Sequence, residues 1–254
     1  MSTNKTIDLN CDLGEGIGNE AALMPYISSC NLACGGHAGD EATMDYVVQL
    51  AKKYAVGVGA HPSFPDRENF GRKIMHIAFA ELEISLKHQI DLVLEICKAH
   101  KTPLHHIKAH GALYNMCAKD RDYAAFFIDF VHRFYPDVPV YAPFNSMISE
   151  LAEGKIKILF EAFADRNYEA DGSLVSRTEN NALIKDEKAL LDHVLNMVEK
   201  NEIHTVSGNT LNAKIDTICV HGDTPKAVDL IRFLKTELEQ NNLKIQTVIC
   251  NQNQ

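Results

Sequence analysis

The chain has 254 residues, a formal net charge of -9 and a hydrophobic fraction of 46%. Its length exceeds the usual domain of about 100–200 residues but suits one α/β barrel of roughly 250, so a single barrel domain spanning 1–254 is expected. The acidic balance argues against nucleic acid and anionic membrane surfaces as partners, since both select basic patches.

The N-terminal MSTNKTIDLNCD has no apolar signal core, and no apolar run reaches the about 20 residues of a membrane-spanning helix. The 7 cysteines are scattered and odd in number. That usage fits a reducing, cytoplasmic setting better than a disulfide framework.

In chain order, strands are expected at Thr6–Asn10, Ser28–Ala33, Val56–Gly59, Leu104–Lys108, Val138–Ala142, Lys157–Glu161 and Asp216–Val220. Helices are expected at Glu41–Tyr54, Ile77–His100, Asp122–Phe134, Asp186–Glu199 and Pro225–Gln240. Within Ile77–His100, Leu82, Leu86, Ile90, Leu94 and Cys97 recur at spacings of three and four, one buried helical face. Pro225, after Asp223 and Thr224, suits a helix start. Lys244–Cys250 is a candidate further strand, and the tail Asn251–Gln254 is expected to fray. Alternation of strands and helices implies parallel pairing, here an irregular parallel (β/α) barrel of about seven strands.

The polar residues fall where the strands end. The first strand leads into NCDLGEG, with Asn10, Asp12 and Glu15, and the second into CGGHAGD, with His37 and Asp40. The third leads into GAHPSFPD, with His61 and Asp66, and Arg67 and Arg72 follow. The fourth runs into KAHGALYN, with Lys108, His110, Tyr114 and Asn115. Later come EAFADRNYEADG, with Glu161, Asp165 and Arg166, and VHGD, with His221 and Asp223. In a parallel barrel these ends share one rim, where active sites are assembled.

Several lookalikes fail. Gly14-Glu15-Gly16-Ile17-Gly18 lacks dinucleotide-loop spacing and places a repelling carboxylate in the turn. There is no P-loop and no G-x-S-x-G elbow. Cys30, Cys34 and His37 are too few for a cluster or a tetrahedral zinc clip. His105 and His106 within a strand, and Tyr141 and Phe144, read as structural. Asp12, His37 and His61 offer an acid and two imidazoles. These serve equally as a metal site or as a metal-free acid–base network.

The segments DLNCDLGEG, NLACGGHAGD, GAHPSFPD, KAHGALYN, EAFADRNYEADGSLVSR and ICVHGDTPKAV, in that order from Asp8 to Val228, resemble the signatures of the LamB/YcsF family of 5-oxoprolinase A subunits. The resemblance implies a barrel of the glycoside hydrolase/deacetylase type. It implies cleavage of 5-oxoproline (pyroglutamate) to L-glutamate, coupled to hydrolysis of ATP with Mg2+ as its counter-ion, together with subunits B and C. The family's polar positions then fall on Asp8, Asn10, Asp12, Glu15, His37, Asp40, His61, Asp66, Arg72, Lys108, His110, Asn115, Glu161, Asp165, Arg166, Arg177, His221 and Asp223. Asp12, His37, His61, His110 and Asp165 are the catalytic candidates. Asn10, Glu15, Arg72, Lys108, Asn115, Glu161, Arg166, His221 and Asp223 are the candidates for binding substrate or phosphate. YAPFNSMISELA departs from the pattern in lacking a glycine turn, and Ala109 stands where proline is common. Two other readings stay open: a stand-alone metal-dependent deacetylase or amidohydrolase, and a non-catalytic subunit.

Overall fold

Most barrel strands of this chain are followed by a helix, and the folded chain turns that alternation into concentric layers. The structure, a computed structural model, describes residues 5–224 and 226–248. Pro225 and the tail Asn251–Gln254 lie outside the described residues, as do Ile249 and Cys250 at the end of the expected last strand.

The first half of the chain runs β1 (Thr6–Leu13), α1 (Glu20–Leu23), β2 (Ser29–Ala33), α2 (Glu41–Tyr54), β3 (Gly57–His61), α3 (Phe79–Ala99) and β4 (Leu104–Ile107). Next come α4 (Gly111–Lys119), α5 (Arg121–Phe134), β5 (Val140–Pro143), α6 (Met147–Leu151), β6 (Ile158–Phe163) and α7 (Glu187–Leu195). An antiparallel hairpin of β7 (Glu202–His204) and β8 (Thr210–Asn212) precedes β9 (Thr217–Val220), α8 (Ala227–Gln240) and β10 (Lys244–Ile245). The order β1-β2-β3-β4-β5-β6-β9 returns to β1, all parallel, and closes a seven-stranded barrel. β10 pairs with the first residues of β1. Beyond it the Val248 carbonyl accepts from His105 Nε2 at 2.9 Å, so the C-terminal segment packs at the base, where the strands begin.

Local chemistry sets the helix bounds. Asp40, Asp120 and Asp186 accept from backbone N–H groups of the first turns of α2, α5 and α7, satisfying donors that a helix cannot pair internally. On α3 the buried face is Leu82, Leu86, Gln89, Ile90, Val93 and Cys97; each such aliphatic side chain contributes roughly 1.5–3 kcal/mol on burial.

The barrel interior departs from the usual filling of bulky branched residues. Along β1 the side chains alternate, with Ile7, Leu9, Cys11 and Leu13 in the apolar core and Asp8, Asn10 and Asp12 in a polar column. Asp8 is fully buried and accepts from the hydroxyls of Ser28, Ser29, Tyr141 and Thr217. Asn10 donates to Glu161 and Thr217 and accepts from Asn31. β1 therefore runs three residues past its expected end, which puts Asp12 inside the strand and not in the loop after it.

One buried group outside this column carries a pH dependence. His193 on α7 is 8% exposed, its Nε2 has no partner, and burial pushes it down to about 4. The unfolded chain binds that proton more readily, so its contribution is complete above about pH 6.5 and is lost as pH falls towards 4. Between pH 7 and pH 5 the loss is about 2 kcal/mol. Urea unfolding at both pH values should show His193→Leu losing correspondingly less stability than the wild type.

Candidate active site at the carboxyl ends of the strands

The polar column ends at the rim in a pocket of about 560 Å³. Its floor is a buried ion cluster. Lys108, immediately after β4, lies 3.1 Å from Asp12 and 2.9 Å from Glu161, and is only 3% exposed. Glu161 also accepts from Asn10 and from the Tyr114 hydroxyl, so both its oxygens are engaged. Burial alone raises the Asp12 pKa, but Lys108 and the imidazoles of His61, His221 and His110 hold it well below the usual carboxylate range. Against the opposing pull of burial, Asp12, Cys219 and Glu161 drive Lys108 well above the usual lysine range. Asp12 is thus an ionised acceptor buried at the floor of the pocket.

One wall is built by four consecutive strand ends: Glu15 follows β1, His37 follows β2, His61 closes β3 and His110 follows β4. His61 Nδ1 donates to the Lys108 carbonyl at 2.7 Å, and its Nε2 faces His110 Nδ1 at 3.0 Å and Asp12 at 3.6 Å. His110 Nε2 donates to the Phe70 carbonyl, and its ring stacks on His37 with centroids 3.7 Å apart. His37 Nε2 meets Glu15 at 3.1 Å. Burial pushes His37 down to about 4; burial, with His37 beside it, does the same to His110. Burial and the Asp12 charge push Glu15 up to about 7. The carboxylate that gathers these imidazoles is Glu15, and His110 joins them. This differs from the expected set of Asp12, His37 and His61, because Asp12 points at Lys108 and Asn31.

Across the pocket stands an Asp–His dyad. His221, after β9, donates through Nδ1 to Asp165, which is buried and also accepts from the Thr224 hydroxyl. Burial opposes ionisation of Asp165, and His221 and Thr224 overcome it, lowering its pKa. His221 stacks on Phe163 and lines the pocket, with Nε2 available to a ligand.

Of the other expected residues, Arg72 and Arg177 both pair with Asp223 at the partly exposed mouth. Arg166 is not ion-paired to Asp165: it donates to the carbonyls of Val175 and Ala182 and ties the loop from 166 to 184 together. Asn115 lines the pocket from the exposed side of α4. Asp40 caps α2 and Asp66 accepts from Asn69, so both serve local structure. Thr224, expected only as part of a helix start, and Asn31 join the site although the sequence did not place them there. Asn31 is held by His106 and donates to Asp12, and the alternation of polar residues at Ser29 and Asn31 of β2 is the signal that would have found it.

Gly111 shows how tightly this wall is packed. Its φ is +55°, and a Cβ there would lie 2.5 Å from the Gly71 carbonyl oxygen. Gly111→Ala is therefore expected to cost about 1–3 kcal/mol, read as a lower urea midpoint with an unchanged slope.

The sequence matches the LamB/YcsF family over residues 7–253. It is 41% identical over 245 residues to a 5-oxoprolinase A chain of Clostridium beijerinckii, covering 94% of this chain and 96% of that one. It is 39% identical over 242 residues to the corresponding 5-oxoprolinase A chain of Haemophilus influenzae (strain PittEE), covering 95% and 99%. The fold superposes on a lactam utilization protein from Thermus thermophilus with a TM-score of 0.90 at 33% identity, covering 96% of this chain and 100% of that one. A family 4 carbohydrate esterase from Streptomyces lividans gives a TM-score of 0.52 at 10% identity, covering 98% and 95%, a likeness of fold alone.

Proposed function

The chain belongs to the LamB/YcsF family, and on that premise we propose that it is the A component of a 5-oxoprolinase, opening the lactam of 5-oxoproline to give L-glutamate. The observation that carries this reading is a pocket at the barrel rim with a carboxylate paired to Lys108 on its floor and independent imidazole groups on two walls. Lactam opening needs water delivered to the carbonyl carbon and a proton delivered to the leaving nitrogen, which are tasks for two separate groups. The names of the relatives support a hydrolase acting on a cyclic amide within a multisubunit enzyme.

Five-membered lactams are stable amides, and coupling to ATP, with Mg2+ as its counter-ion, overcomes this. The lactam oxygen attacks the γ-phosphorus and releases ADP. Water adds to the activated carbon, the ring nitrogen leaves as an amine, and a second water hydrolyses the acyl phosphate to glutamate and phosphate. In this chain Asp12, with His61 beside it, orients and deprotonates water through its own carboxylate, and His221, its Nδ1 held by Asp165, protonates the leaving nitrogen. Arg72 and Arg177, released from Asp223, suit the substrate carboxylate or a phosphoryl group as bidentate donors. Lys108 and Arg166 are engaged already and serve the frame of the site. Subunits B and C are the partners in this account. The whole chain acts as one barrel domain, and no helix among the described residues is long and apolar enough to cross a membrane. The described cysteines are free buried thiols, which supports a reducing compartment such as the cytoplasm.

The test is glutamate release from 5-oxoproline with ATP and Mg2+, by this chain alone, by candidate B and C subunits alone, and by the three together. Glutamate with matching ADP only in the full mixture supports the reading. No glutamate from a verified assembled complex removes it.

A further inference from the structure

The wall formed by Glu15, His37, His61 and His110 contains a conflict that hydrogen bonding among these groups leaves in place. His61 Nδ1 faces the Lys108 carbonyl and His110 Nε2 faces the Phe70 carbonyl, at 2.7 Å and 3.0 Å. A carbonyl only accepts, so both of those nitrogens carry the proton. In neutral rings His61 Nε2 and His110 Nδ1 are then bare lone pairs, and they face each other at 3.0 Å. Glu15 adds a carboxylate oxygen 3.6 Å from His110 Nδ1 and 3.1 Å from His37 Nε2. The lone pairs of His61 and His110 and the Glu15 carboxylate converge in this wall, with the His37 ring beside them, and call for a cation between them.

The geometry points to a divalent transition-metal site of the zinc class, with Glu15, His37, His61 and His110 as its ligands. One ligand atom from each lies within 4.8 Å of all the others. Ligands about 2.0–2.1 Å from a tetrahedral ion stand about 3.3 Å apart. The separations between neighbouring ligand atoms, 3.0, 3.1 and 3.6 Å, bracket that value, and the remaining pairs lie within 4.8 Å. Two of the three imidazoles already have the outer partner that fixes a metal-binding tautomer, a backbone carbonyl on the remote nitrogen. His37 lacks one, its Nδ1 being buried without a partner. Imidazole nitrogen with one carboxylate suits Zn2+ or Co2+ better than Ca2+ or Mg2+, which take oxygen ligands. Asp12, 3.6 Å from His61 Nε2, stays outside the ligand set.

This site stands independently of the lactam reading, because binding is measured without turnover. Tag-free, chelator-stripped protein is titrated with ZnCl2 by calorimetry and with CoCl2 by visible absorption. One ion per chain is expected, with cobalt bands of a four-coordinate nitrogen–oxygen site. His110→Ala and Glu15→Gln should each weaken Zn2+ binding by at least about 10-fold, whereas His88→Ala, at an exposed position on α3, should leave it unchanged. Circular dichroism checks folding, and His37→Gln replaces any variant that fails to fold. No saturable binding of either ion by the folded wild type overturns the site and leaves a proton shared between His61 and His110. Unchanged Zn2+ affinity in the folded ligand variants overturns it as well.

Discussion

Lys108→Met is expected to cost about 3–5 kcal/mol of stability and to abolish turnover, because it removes the cation held between two buried carboxylates. Asp12 and Glu161 lie 3.1 and 2.9 Å from the Lys108 ammonium, and none of the three is more than 7% exposed. Without the ammonium, burial becomes the dominant influence on Asp12, and at least one carboxyl must take up a proton. Asp12 then loses the ionised state on which its proposed role with His61 depends. Arginine should not rescue the change, since its planar fork cannot replace a compact ammonium whose third contact is the Cys219 sulfur at 3.2 Å. Urea unfolding reads the stability loss and glutamate release reads the turnover. Wild-type stability in Lys108→Met would show that the cluster is not the closed ion group described here.

Asp165→Asn should leave the fold intact and lower kcat by about 10²–10⁴-fold with little change in KM. The side chains are nearly isosteric, and the Thr224 contact can persist. What is lost is the anion that accepts from His221 Nδ1–H. An asparagine amide turned to donate instead would force the proton onto Nε2 and present the wrong tautomer to the pocket. A fall in kcat with an unchanged unfolding midpoint separates a role in proton transfer from a role in packing.

The arrangement of β1–β6 and β9 was legible because short apolar, β-rich runs recur along the chain and the longer helices between them, α2, α3 and α5, carry their own period. The rim was legible for the same reason: Glu15, His37, His61 and His110 sit just at or after successive strands, and parallel closure brings such positions together. What eluded sequence reading was register and tautomer. Whether Asp12 or Glu15 meets the imidazoles depends on β1 continuing to Leu13, which turns Asp12 inward onto Lys108 and leaves Glu15 for the wall. α1, α4, the β7–β8 hairpin and α6 were missed because they are short and their periods are weak over so few residues. Tyr141 was expected to pack, and it does stack on His106 at 3.7 Å, but its hydroxyl also reaches Asp8. The polar column behind the site was written in the alternation Asp8, Asn10, Asp12, yet only barrel closure supplies its partners.

The most direct test of the account is turnover by the assembled complex with the Asp12→Asn, His61→Ala double variant in place of the wild-type chain. Copurification with subunits B and C and release of glutamate and ADP would be measured on the same preparations. The account predicts an intact complex in which glutamate release falls by at least about 10²-fold, because the pocket of this chain carries the chemistry. Glutamate release within about threefold of wild type from that complex would contradict it, and would leave the chain a scaffold for chemistry done elsewhere.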